Sequence, residues 1–185
     1  MSKRFWGVDL GGTKIEGVVL PTATSTEPLC RMRVPTERDR GYEHVRGQIV
    51  RLVEQMSARV GDRPDLLGVG TPGVLDPQTL RLKNSNTTCL IDQPLQSDLQ
   101  SDLGIDVTLA NDANCFALAE ARLGAGRGAH TVFGIILGTG VGGGVVIDGR
   151  ALFGCQGIAG EWGHNVMDPD GRPCYCGLRG CVETL

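Results

Sequence analysis

The sequence predicts an α/β protein built as two lobes, and three observations predict it. Strand-length apolar runs alternate with segments of helical period. A strand, a glycine turn and a second strand occur once around Gly11-Gly12 and again around Gly138-Thr139-Gly140. Each of these units is joined to βα segments, and a repeated unit of this kind decides architecture. The expected boundary falls near 110–112, with an N-terminal α/β lobe over 1–110 and the start of a larger lobe over 111–185.

Arg4 to Asp9 reads as a strand, Gly11-Gly12 as a turn and Thr13 to Leu20 as the returning strand, because strand-like runs around Gly-Gly make a hairpin. Leu29 to Val34 alternates as a third strand after a turn region bounded by Pro21 and Pro28. From Tyr42 to Val60 the apolar residues Val45, Ile49, Leu52, Val53, Met56 and Val60 keep helical spacing, and Gly61 stops the helix. Leu66 to Gly70 is a short buried strand that enters Thr71-Pro72-Gly73. Pro94 to Leu103 is a short helix ended by Gly104. Val107 to Ala110 is a strand, and Asn111 or Asp112 caps a helix carrying Ala113, Cys115 to Leu118, Ala121 and Leu123. After a glycine-rich loop over 124–128, Thr131 to Leu137 and Val141 to Ile147 form the second hairpin.

Composition excludes several classes. Of 185 residues, 41% are apolar, enough for one sizeable core or two small ones. The net charge is −3, Lys and Arg form no stripe, and 4% aromatic residues leave little to stack on bases, so nucleic acid is not an expected partner. Runs such as Phe133 to Leu137 are too short to span a bilayer. Met1-Ser2-Lys3-Arg4 leads straight into a strand without a leader pattern, so a cytoplasmic location is expected. The 7 Cys are an odd number with three between Cys174 and Cys181, which favours thiolate chemistry over a disulfide framework. Cys30, Cys89, Cys115 and Cys155 are scattered and read as small core residues.

The glycine segments carry the first chemical signal. Gly138-Thr139-Gly140-Val141-Gly142-Gly143 has dinucleotide-fold spacing, but the β-branched strand Val145-Val146-Ile147 follows where that fold needs a helix. No glycine loop ends in Gly-Lys-Ser or Gly-Lys-Thr either. Glycine turns can themselves cradle phosphate through converging N–H groups, with Thr13 and Thr139 adding hydroxyl donors. Asp9, before the first turn, suits Mg²⁺ through water, and Lys14, after it, offers a point charge to phosphate. The plainer alternative is a pair of ordinary hairpin turns.

Asp112 lies where a strand ends and a helix begins. Taken by itself it is a helix cap; beside bound phosphate it is a candidate general base. His164, Cys174, Cys176 and Cys181 form a complete tetrahedral donor set for a structural zinc ion, with Gly171, Pro173, Gly177 and Gly180 as turn formers. Free cysteines beside an unrelated histidine are the alternative. Glu161 and Glu183 flank this cluster.

Together these residues resemble the ROK family of sugar kinases and repressors, within the actin/hexokinase-like (ribonuclease H-like) ATPase fold. The resemblance rests on Asp9-Leu-Gly-Gly-Thr-Lys14, Gly68-Val-Gly-Thr-Pro-Gly73, Asn111-Asp-Ala-Asn114, Leu137-Gly-Thr-Gly-Val-Gly-Gly-Gly144, Gly160-Glu-Trp-Gly-His164 and Cys174-Tyr-Cys-Gly-Leu-Arg-Gly-Cys-Val-Glu183. It implies an ATP-dependent kinase acting on the 6-hydroxyl of a hexose or N-acetylhexosamine, with Mg²⁺ and a structural Zn²⁺. Asp112 would be the general base, and Asn111, Glu161, His164 and Glu183 would hold the sugar, with Gly73, Ser85 and Asn86 beside them. Gly11, Gly12, Thr13 and Lys14, with Asp9, would form the first phosphate loop, and Gly138, Thr139 and Gly140 the second. Family kinases continue beyond the Cys-x-Glu segment, so this chain is expected to be an N-terminal part with its second lobe incomplete, weak in ATP turnover alone and a homodimer at full length. Family repressors carry a winged helix before the sugar fold. Here the hairpin begins at Phe5 and Asp112 is retained, which favours the kinase over a regulator or a sugar-binding module.

Overall fold

Strand β1 (Phe5–Leu10) turns back into β2 (Lys14–Leu20), with Leu10 opposite Ile15, and β3 (Cys30–Pro35) runs antiparallel to β2. Helix α1 (Tyr42–Val60) then crosses to β4 (Leu66–Thr71), parallel to β1. A small hairpin, β5 (Val74–Leu75) and β6 (Leu82–Lys83), precedes α2 (Leu95–Leu103) and β7 (Asp106–Asn111), which is parallel to β4. The resulting sheet has the order β3-β2-β1-β4-β7, and β2 alone runs against the others. This computed structural model describes residues 4–138, 140–174 and 176–185. The chain divides into two compact units, the first ending at Asp112 and the second running from Ala113 to Leu185.

The first unit's core follows from two periodicities. Trp6, Val8 and Leu10 on β1 and Ile15 and Val19 on β2 alternate onto one face. The α1 residues Val45, Ile49, Leu52, Val53 and Met56 form the stripe that joins this core, and Leu95, Leu99 and Leu103 of α2 join it as well. Gly61 and Gly104 end the two helices at φ +67° and +66°, left-handed positions that glycine takes without penalty. On β3, an edge strand, Arg31 and Arg33 are exposed, and such charges discourage further strand pairing.

In the second unit, α3 (Asp112–Leu123) leads to β8 (Thr131–Leu137), β9 (Val141–Ile147) and β10 (Arg150–Leu152) in the order β10-β9-β8. This antiparallel meander repeats β3-β2-β1. The glycines of β8 and β9 serve packing: a Cβ on Gly134 or Gly144 would lie 2.8 or 3.0 Å from the Ala117 Cβ of α3. They let helix and sheet approach more closely than side chains permit.

Some expectations change. Asn111 ends β7 and α3 begins at Asp112, so the strand passes into the helix with no residue between them. The two-residue strands, β10 and the single 3₁₀ turns at Arg38–Arg40, Thr88–Leu90 and Val182–Thr184 are too short for periodicity to reveal. The core reading of the scattered cysteines needs correction. Cys30 is buried and Cys89 half-buried, but Cys115 and Cys155 are exposed. Cys115 faces away from the Ala113–Asn114–Ala117 side on which α3 packs, and Cys155 sits in a turn.

Candidate functional site

The first glycine turn is closed by Gly11 N–H donating to Lys14 O at 3.0 Å. It is also stitched from outside. Thr36 is fully buried; its hydroxyl donates to Gly11 O at 2.7 Å and its N–H to Thr13 O at 3.0 Å. Lys14 Nζ lies 4.0 Å from Glu16, a carboxylate that also meets Arg31 and Arg33. Asp9 closes the exposed face of β1. Partial loss of hydration and then Glu16 push its pKa above the ordinary aspartate range, while Lys14 pulls it back.

Strand register brings the other candidates to the same edge. Asp9 is level with Gly70, Gly70 with Ala110, and Thr71 with Asn111. Asp9, Thr71, Asn111 and Asp112 therefore all stand at the carboxyl ends of three parallel strands, where α/β sheets bind ligands. Asn111 is buried and its Nδ2 donates to Gly73 O at 3.4 Å. The Thr71 hydroxyl reaches the same oxygen at 3.1 Å. Gly73 in turn abuts Ser85: a Cβ there would lie 3.1 Å from the Ser85 Cβ. Ser85 is buried and its Oγ accepts from Thr87 N–H at 3.1 Å, whereas Asn86 is exposed. The first unit thus gathers Gly73, Ser85 and Asn111 side by side, Asn111 hydrogen-bonded to Gly73 and Ser85 packed against it. Thr36, Thr71 and Thr87 belong to this framework and no sequence pattern marked them, because isolated threonines have no spacing to recognise.

Glu161, His164 and Glu183 belong to the second unit. At its glycine turn, Gly138 N–H donates to Gly140 O at 2.9 Å, while Thr139 lies outside the described residues. The Glu183 carboxylate accepts from Val141 N–H at 3.0 Å, so it is seated against this turn. Its own N–H donates to Gly163 O at 2.9 Å. Trp162 fixes the neighbouring segment: its Nε1 donates to Gly142 O at 3.0 Å and its ring meets Phe133 edge-on at 6.1 Å. Glu161 is exposed and His164 half-buried beside this anchor.

His164, Cys174, Cys176 and Cys181 converge, with all four donor atoms within 4.8 Å of one another. Cys174 Sγ is 3.4 Å from His164 Nδ1, and Cys176 Sγ is 3.6 Å from Cys181 Sγ. A tetrahedral zinc site with bonds of about 2.3 Å to sulfur and 2.0 Å to nitrogen has edges of roughly 3.5–3.8 Å, so these residues fit it. Burial and the neighbouring thiols push Cys181 up to about 12, while backbone N–H groups led by Leu178 pull Cys176 down. Short bridges hold the loop, pairing Val166 with Cys181 and Pro173 with Arg179.

The half-antiparallel sheet, the repeated meander and the glycine turns define an actin/hexokinase-like α/β protein. The family is equally plain: residues 5–185 match the ROK family model, and the chain belongs to that family. It is 38% identical to an N-acetyl-D-glucosamine kinase of Pectobacterium atrosepticum, over 97% of this chain and 61% of the relative. It superposes with a TM-score of 0.84 on a ROK family glucokinase from Streptomyces griseus solved with glucose and AMPPNP, at 34% identity, over 97% of this chain and 56% of that one. A ROK family transcriptional regulator, described as a homologue of the Escherichia coli MLC protein, matches with a TM-score of 0.77 at 26% identity, over 100% of this chain and 46% of that one. The chain spans about three-fifths of the curated relative's length. Among the described residues, no helix is long and apolar enough to cross a membrane.

Proposed function

We propose that this chain carries the catalytic and sugar-holding part of an ATP-dependent kinase for the 6-hydroxyl of a hexose or N-acetylhexosamine. The observation that supports it most is the register placing Asn111-Asp112 at the same sheet edge as the turn after Asp9. On this reading the sugar hydroxyl oxygen attacks the γ-phosphorus of ATP, its proton passes to the Asp112 carboxylate, and ADP leaves with the electrons of the broken P–O bond. Asn111, Glu161, His164 and Glu183 hold the sugar, with Gly73, Ser85 and Asn86. The phosphate chain lies along Gly11, Gly12, Thr13 and Lys14, and along Gly138, Thr139 and Gly140. A Mg²⁺ ion held through water by Asp9 would neutralise phosphate charge. A lobe over 1–110 and the start of another over 111–185 would carry the two phosphate turns.

His164, Cys174, Cys176 and Cys181 would hold a structural Zn²⁺ that rigidifies the loop bearing Glu161 and Glu183. Thiols persist as ligands in a reducing compartment, which makes the cytoplasm the proposed location. A homodimer belongs to the same proposal. The resemblance to a transcriptional regulator supports a second reading, a sugar-responsive module without turnover. A coupled ADP-release assay, with calorimetric sugar titrations, separates them across glucose, mannose, N-acetylglucosamine and N-acetylgalactosamine. Sugar-dependent ADP release by a version of relatives' length supports the kinase; sugar binding with no release at any concentration removes it.

A further inference from the structure

We propose that Arg38 is a phosphate-binding residue of the first glycine turn, meeting the phosphoryl chain where it passes Gly12. The inference rests on the proposed reading of Gly11–Lys14 as a phosphate turn and adds a residue that no motif contains. Arg38 is placed by the chain that leaves β3. Thr36 is bonded to both Gly11 and Thr13, so the backbone just before Arg38 is fixed to the turn itself. Glu37 then adopts a left-handed conformation, φ 48° and ψ 48°, uncommon for glutamate, and Arg38 opens the 3₁₀ turn that follows.

The consequence is that the Arg38 guanidinium lies over Gly12. Its Nη1 is 3.5 Å from where a Gly12 Cβ would stand, and Thr87 Oγ1 is 3.6 Å from the same point. A cation and a hydroxyl thus flank the residue whose missing side chain leaves the turn open. Thr87 also belongs to the 85–87 loop, through its N–H bond to Ser85 Oγ. Arg38 therefore stands where the first glycine turn meets that loop.

The other arginines nearby already meet carboxylates. Lys14, Arg31 and Arg33 share Glu16. Arg40 and His44 take Glu37 at 3.1 and 2.7 Å. Among the described residues, no carboxylate lies within 4.0 Å of Arg38. Its charge at Gly12 is left for a ligand, and a planar guanidinium matches two phosphate oxygens at once.

The test titrates Mg-tripolyphosphate and MgATP, by ³¹P NMR and calorimetry, into the 185-residue chain and its Arg38→Gln, Arg38→Lys and Arg59→Gln variants. Arg59, exposed in the last turn of α1, controls for the loss of one positive charge. Arg38→Gln is expected to weaken both ligands roughly 10- to 100-fold, the worth of a charge-assisted hydrogen bond. Arg38→Lys should recover part of the loss, and Arg59→Gln should change little. Equal binding by wild type and Arg38→Gln overturns the assignment, as does a wild type that binds neither ligand. So does a loss confined to MgATP, which would put Arg38 on the nucleoside. Loss of tripolyphosphate binding in Arg38→Gln, with no sugar-dependent ADP release by a version of relatives' length, supports Arg38 while removing the kinase reading.

Discussion

Asp112 and Asp9 are two carboxylates at one sheet edge with different demands on them. Asp112→Asn keeps the side chain's size and its oxygen at the start of α3 but removes the proton acceptor. In a version of relatives' length, kcat is expected to fall about 10²- to 10⁴-fold with KM for sugar nearly unchanged; steady-state kinetics check this, and a near-normal kcat would leave Asp112 a helix cap. Asp9 is set against its surroundings, because partial dehydration and Glu16 raise its pKa. Folding raises this acid's pKa, so the folded state binds the proton more tightly, and stability declines as pH climbs through the window from the unfolded to the folded value. Asp9→Asn is therefore expected to raise the urea midpoint at pH 7 and to leave it unchanged well below that window. Carboxyl NMR titration should also show the Asp9 midpoint moving down in Glu16→Gln.

Two elements carry most of the local order, and each has its own failure. Helix α1 is seated by a stripe whose centre, Leu52, is fully buried in the first unit's core. Leu52→Ala removes a side chain from a site enclosed on all sides, and a loss of about 2–5 kcal/mol is expected in urea unfolding. Among the described residues of the loop over 164–183, Val166, Met167 and Leu178 are all exposed. On the zinc reading, a closed site of three thiolates and one imidazole would supply roughly 10–16 kcal/mol of apparent binding energy coupled to folding, and the metal would take the place of a core. Cys176→Ser is expected to lose the zinc and disorder residues 164–183, while residues 5–111 keep their structure. Elemental analysis and amide-exchange protection measure both parts; no zinc in the unaltered protein would end the proposal.

At the scale of the whole chain the two units differ in how their sheets are flanked. In the first, β1 has β2 on one side and β4 on the other. In the second, β8 is an edge of the three-stranded sheet among the described residues, and Phe133, Ile135 and Leu137 along it are exposed. Unpaired strand backbone together with apolar side chains favours association. The 185-residue chain is expected to self-associate with rising concentration in light scattering, and Ile135→Lys to reduce this. It is also expected to show weak or no ATP-dependent turnover by itself. Turnover on the order of 1–10³ s⁻¹ would overturn that expectation.

By itself the sequence determined the elements long enough to show a period. The apolar spacing of α1 located it from Tyr42 to Val60, and the paired glycine turns revealed the repeat. The crowding of His164, Cys174, Cys176 and Cys181 marked four residues whose donor atoms converge, because ligand chemistry is written in residue type and spacing. Tertiary structure decided what depends on strands far apart in the chain. Parallel pairing aligned Asp9 with Gly70 and Gly70 with Ala110, which no local pattern encodes. It seated Glu183 against Val141, made the glycines of β9 a packing surface for α3, and brought Arg38 over Gly12. These contacts join residues separated by tens of positions, and a one-dimensional period carries no information about which of them will meet.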